Sequence, residues 1–189
     1  MRYPGSSDAL ASEKRAAQFR LYHLHAKRAP HNGHAVALIG TDPKNTVTLM
    51  RDHAHWPGER VWLVDYAQKA AVTKARRLWP TANARHENVL DTLRRIGPIG
   101  FADLDFMGFV TNPTMREAIA ITLPKLLPRA AVSITWYAAR DQVVDRLAAA
   151  RDIVHDAAVA TGVVMGNVLA YTYQHGHSPM GMAAWCRIA

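Results

Sequence analysis

Cysteine is nearly absent from this chain: Cys186 is the only one in 189 residues. No disulfide within the chain is possible, a thiolate-rich metal site is excluded, and a reducing, cytoplasmic location is expected. Long apolar runs are missing too. None approaches the roughly 18 residues that a membrane-spanning helix needs, so no membrane partner is expected. The first residues, with Pro4, Gly5, Asp8 and Glu13, lack the apolar centre of a signal peptide. There is no internal repeat, no low-complexity tract and no long linker. Acidic residues are the scarcer charge, 15 against 23 Lys and Arg, for a net +8. Such a balance points to a polyanionic partner, nucleic acid above all; the alternative is that the cations sit on solvated helix faces.

What is present is an apolar content of 49% with mixed periodicity, enough for one domain with a real core. A helix is expected from about Asp8 to Arg28, ending before Pro30. Ala35 to Ile39 reads as a buried strand broken by Gly40. Asp42-Pro43 then supplies an N-cap and first-turn proline for a helix to around His55. Arg60 to Asp65 is a second strand, Ala67 to Trp79 a helix, Thr81 to Asn88 a weakly patterned third strand and Val89 to Ile96 a short helix. Asn112-Pro113 repeats the cap-plus-proline signal for a helix reaching Leu126-Leu127-Pro128. Ala130 to Tyr137 is a fifth strand, and Asp141 caps a helix that runs to Gly162. Val168 to Tyr173 and Met180 to Arg187 read as a hairpin around the 174–179 turn.

Between them, Ile99-Gly100-Phe101-Ala102-Asp103-Leu104-Asp105-Phe106-Met107-Gly108 is an apolar run ending in two carboxylates, an aromatic residue and a glycine. Alternate strand residues share a face, so Asp103 and Asp105 are expected to look toward one crevice. Ligands of open α/β sheets collect beyond the carboxyl ends of the strands. Strands alternating with helices imply an α/β, doubly wound, mostly parallel sheet of seven strands with a C-terminal antiparallel β-hairpin. Residues 1–34 form a basic helix and lead-in, and 35–189 the Rossmann-like body, effectively one domain.

A lead-in helix, five β/α units and a closing hairpin resemble the class I methyltransferases that use S-adenosyl-L-methionine (SAM), over nearly the whole chain. The resemblance implies SAM as cofactor. Gly40, Thr41 and Asp42, in the loop after the first strand, correspond to the contacts with its methionine part. That loop holds one glycine where the family carries G-x-G-x-G. Asp65, closing the second strand, corresponds to the ribose ligand, an ionised carboxylate being a natural bidentate acceptor for a diol; Tyr66 follows it. Glu87 and Asn88 correspond to the adenine contacts. The Asp103-Leu-Asp105-Phe106-Met-Gly108 stretch corresponds to the family's fourth motif. It resembles the D-x-D-P-F-G of tRNA guanine-N2 dimethyltransferases without its proline, and D-x-D-F-x-G segments of small methyltransferase-like proteins of mobile elements. Asp103, Asp105 and Phe106 are therefore the candidate catalytic residues, Asp103 also as a cofactor contact. Gly108, Asn112, Thr135, Trp136, Tyr137 and Arg140 are the candidates for the substrate.

Each site has a plainer reading. Asp65 is alternatively a cap for the following helix, and Asp103 and Asp105 ordinary strand-end residues. Trp136 or Tyr137 either stacks on a base or divides between core and surface. Arg140 either meets phosphate or pairs with an aspartate. Ten histidines include His23/His25, His31/His34, His53/His55 and His175/His177. Two of these pairs fall in expected helices, where residues i and i+2 diverge, so no metal site is expected. His175 and His177 are expected at an exposed turn, as candidate substrate contacts. The stretch Lys14–Arg28 mixes cations with Phe19 and Tyr22. It serves either as a nucleic-acid surface or as an amphipathic helix whose Phe19, Tyr22 and Leu24 cover the sheet. The expected activity is methyl transfer to a nucleic-acid base nitrogen. The alternatives are a non-catalytic nucleic-acid-binding protein on the same scaffold, and a methyltransferase of small molecules or proteins.

Overall fold

A computed structural model describes residues 16, 18–106, 112–137, 146–175 and 178–188. Seven strands form one sheet in the order β3-β2-β1-β4-β5-β7-β6. They are β1 (His34–Leu38), β2 (Val61–Val64), β3 (Asn83–Arg85), β4 (Ile99–Asp105), β5 (Leu126–Tyr137), β6 (Met165–His175) and β7 (Ser178–Arg187). The first five run parallel, and β7 enters antiparallel between β5 and β6. The strand order reverses between β1 and β4, so the crevice of this sheet opens beyond their carboxyl ends.

Helices cover both faces. On one lie α1 (α-helical at 18–21, π-helical over Tyr22–Ala26), α2 (Lys44–Thr48, continued as a π-helix over Leu49–His53) and α3 (Lys69–Leu78). Their inward residues Tyr22, Met50 and Val72 pack on Ala35, Leu63 and Phe101. The other face holds α4 (Val89–Arg95), α5 (Pro113–Thr122) and α6 (Arg146–Thr161), with Leu93, Ile119 and Val154 against Val36, Leu104 and Val132. Strand residues alternate between the two cores, as expected for a sheet buried on both sides.

The structure moves several boundaries. The third strand shrinks to Asn83–Arg85, because Asn88 leaves it to cap α4, accepting the Leu90 N–H at 3.0 Å. The fifth strand starts at Leu126, not Ala130, pairing Leu126 with Ile99 across a register shift. The preceding helix stops at Thr122 in a 3-10 turn over Leu123–Lys125, where Pro124 lacks the N–H that α-helix needs. The hairpin strands run on to a His175–Ser178 pair, so His175 belongs to β6 and not to the turn. His177, and the proposed Asp141 cap, lie outside the described residues. No described helix is long and apolar enough to cross a membrane.

Candidate functional site

The carboxyl edge of the parallel strands gathers the segments that the sequence singled out. Beyond β1, Gly40 takes φ +55°, a left-handed conformation that favours glycine. A Cβ there would meet nothing within 4 Å, so the loop faces open space. Thr41 and Asp42 are exposed. Asp42 accepts the Lys44 N–H at 3.2 Å and the Lys74 ammonium at 2.9 Å. The Lys74 bond, then the Lys44 one, holds its carboxyl below the usual aspartate range.

Beyond β2, Asp65 does take up the capping role. Its Oδ1 accepts the Ala67 and Gln68 N–H groups, both at 2.8 Å, which starts α3. Oδ1 is thus engaged in the cap, and Oδ2 takes no part in it. Its neighbour Tyr66 is 73% exposed. Beyond β3, Glu87 accepts from the Thr92 hydroxyl and from Arg95. The Asn88 side chain is committed to its cap.

β4 separates the two aspartates that looked alike in sequence. Phe101, Asp103 and Asp105 share the face toward α1, but Asp103 lies one pleat deeper and is 1% exposed. Its Oδ2 accepts the Tyr22 hydroxyl and its Oδ1 the Ser133 hydroxyl, each at 2.7 Å. Tyr22 is completely buried, edge-on to Phe101 at 5.2 Å between ring centroids. Burial, then the charge and hydrogen bond of Asp103, then the charge of Asp105, push the Tyr22 phenol well above the ordinary tyrosine value. Asp103 therefore belongs to an internal hydrogen-bonded network beneath the rim of the crevice. Asp105 and Phe106 are half-buried at the rim.

On β5, Thr135 pairs in register with Asp105. It is fully buried, and its hydroxyl has no hydrogen-bond partner among the described residues. Trp136 points to the opposite face and is 3% exposed. Its indole lies so close over Gly181 that a Cβ there would fall 2.5 Å from the ring. Trp136 is thus part of the core on that face, the plainer of its two readings. The backbone of Tyr137 pairs with Met180. Asn112 caps α5, accepting the Thr114 N–H at 2.9 Å. Gly108 and Arg140 lie outside the described residues.

Sequence reasoning missed Ser133 and the part that Tyr22 plays. Tyr22 stands 81 positions from Asp103, and only the docking of α1 on β4 joins them. No group of three or more His, Cys, Asp or Glu among the described residues is arranged to hold a metal ion.

No family model and no curated protein sequence matches the chain. Solved structures do. The N-methyltransferase NodS from Bradyrhizobium japonicum, in complex with S-adenosyl-L-homocysteine, superposes with a TM-score of 0.61 at 13% identity, over 97% of this chain and 90% of that one. An rRNA methylase from Streptococcus thermophilus gives 0.57 at 16% identity, over 89% and 95%. A precorrin-6y C5,15-methyltransferase from Geobacter metallireducens gives 0.60 at 9% identity, over 92% and 86%. With its strand order and its last strand β7 inserted antiparallel between β5 and β6, the chain has the Rossmann-like fold of the class I SAM-dependent methyltransferases.

Proposed function

We propose that this protein is a SAM-dependent methyltransferase whose acceptor is a nitrogen of a nucleic-acid base. The observation that carries this reading is the carboxyl edge of the sheet. There an open left-handed loop at Gly40 and the oriented carboxylate of Asp65 lie together on the β1–β2 side of the reversal of strand order, with Asp105 at the end of β4 on its other side. The residues present suit the cofactor chemically. Asp65 offers Oδ2 to a ribose hydroxyl, Tyr66 an exposed ring to the adenine, and Gly40-Thr41-Asp42 an open backbone to the methionine part. When bound, SAM supplies an activated methyl group to a nucleophilic nitrogen. Glu87 and Asn88 border the adenine side. Asp105 and Phe106 face the acceptor, and the buried Thr135 hydroxyl beside Asp105 is a polar group still open to a partner. Asp103 acts from behind, holding the end of β4 in place. Transfer to nitrogen depends mostly on alignment, so no strongly basic side chain is required.

Calorimetry and thermal shift with SAM and S-adenosylhomocysteine test the cofactor half. Binding is expected, with a melting temperature that climbs as ligand is added. Asp65→Asn keeps an acceptor for the cap but weakens diol recognition, and a loss of affinity of roughly tenfold or more is expected, the scale of one charge-assisted hydrogen bond. Absence of both heat and thermal shift at millimolar ligand would refute the reading. The single glycine of the 40–42 loop favours one second reading, a non-catalytic nucleic-acid-binding protein on this scaffold. That reading expects nucleic-acid binding without SAM.

A further inference from the structure

The net charge is not spread evenly. Residues 18–79 hold ten Lys and Arg against four Asp and Glu, whereas residues 80–189 hold ten against nine. The fold turns this difference along the chain into a difference between faces, because 18–79 supplies the whole layer α1, α2 and α3. Two of its acids are already neutralised, Asp42 by Lys74 and Asp52 by Arg51. Lys27, Arg28, Lys69 and Arg77 are exposed and make no ion pair among the described residues.

The same layer displays aromatic surface. On α1, Tyr22 and Ala26 turn inward, and Phe19 and Leu24 turn outward, 42% and 39% exposed. This corrects the plainer expectation that Phe19, Tyr22 and Leu24 all cover the sheet: only Tyr22 does. Phe19 stacks on His23 with ring centroids 5.6 Å apart and planes 10° apart, and meets His53 of α2 edge-on at 5.1 Å. Phe19, His23 and Lys27 recur every four residues, a stacked aromatic pair leading into a cation.

We infer that the outer face of α1, α2 and α3 binds single-stranded nucleic acid, with Lys27, Arg28, Lys69 and Arg77 on the phosphates and the Phe19–His23 pair as a platform for an unstacked base. Cations alone would suit any polyanion. The exposed aromatic pair among them selects for bases free to stack, which a duplex does not present. The inference deepens the acceptor half of the proposed function and is independent of its cofactor half.

The test is fluorescence anisotropy of a labelled oligoribonucleotide with the full chain and no SAM. Binding is expected to weaken with salt. Changing Lys27, Arg28, Lys69 and Arg77 to Ala should flatten the slope of log affinity against log salt by roughly 0.7 for each phosphate no longer neutralised. Phe19→Ala should weaken binding on the order of tenfold, and Phe19→Tyr, which keeps the ring, should retain it. Arg116→Ala with Arg151→Ala, on the opposite layer, should leave affinity within about twofold; circular dichroism confirms that each variant folds. Equal losses from both layers, unchanged binding in Phe19→Ala, or tighter binding of a duplex would overturn the inference. Because no SAM is present, such a failure leaves the cofactor half standing.

Discussion

A carboxylate buried as deeply as Asp103 has to replace its lost hydration with donors, and it takes them from Tyr22 of α1 and Ser133 of β5. A hydrogen bond to a charged group contributes about 1.5–3 kcal/mol. Tyr22→Phe keeps the ring against Phe101 and deletes only the hydroxyl, and is expected to lower the unfolding free energy by about 2 kcal/mol. Urea denaturation measures this, and a change below about 0.5 kcal/mol would show that Asp103 finds another donor at no cost. In the sequence, Asp103 and Asp105 were equivalent by period. Depth along the strand separates them, and depth depends on what is packed above. Asp65 is the converse case, because its position after a strand and shortly before a helix start was visible in sequence together with both of its readings. The structure shows the cap.

At the scale of elements, α4 is secured at both ends by side chains from different parts of the chain. Asn88 caps its start from the adjacent residue. At its end the Lys125 ammonium donates to the carbonyls of Leu93, Arg94 and Ile96 at 2.6, 2.9 and 3.0 Å. These are carbonyls that a helix C-terminus leaves without intrahelical donors, at the negative end of its dipole. Lys125→Met preserves the apolar stem and removes the charge, and is expected to cost about 1–2 kcal/mol. Thermal denaturation should show the loss, and Lys125→Arg should recover part of it. Equal stability of the Met variant and the parent would refute the capping role. The Asn88 cap is local and the sequence pattern marks such residues; Lys125 follows a proline some thirty positions downstream, and no local rule connects it to α4.

For the whole molecule, two partly buried histidines give stability a dependence on pH. Burial lowers the pKa of His34 and of His25 below the ordinary histidine value of 6.5. At His25 the charge of Arg28 adds to the effect, and at His34 burial outweighs a hydrogen bond with the Arg60 backbone. His34 Nδ1 accepts the Trp62 indole N–H at 3.2 Å, a bond that requires the neutral ring. The unfolded chain therefore binds more protons than the folded one below 6.5, so this stability is complete above 6.5 and is lost as pH falls through the folded values. The melting temperature is expected to drop between about pH 7 and pH 5, and His34→Gln should make that drop shallower. A melting temperature independent of pH over that interval would contradict the assignment.

The sequence by itself determined the alternation of strands and helices, the closing hairpin and the location of the crevice segments. Those follow from periodicity, caps and breakers, which act over a few residues. It also determined the charge excess of residues 18–79. Only the tertiary structure decided that this excess forms one face, that Trp136 is core and Phe19 surface, and that Asp103 is buried behind Asp105. Each of those depends on packing between segments far apart in the chain, where shape and the cost of unpaired buried groups, not local pattern, select the arrangement.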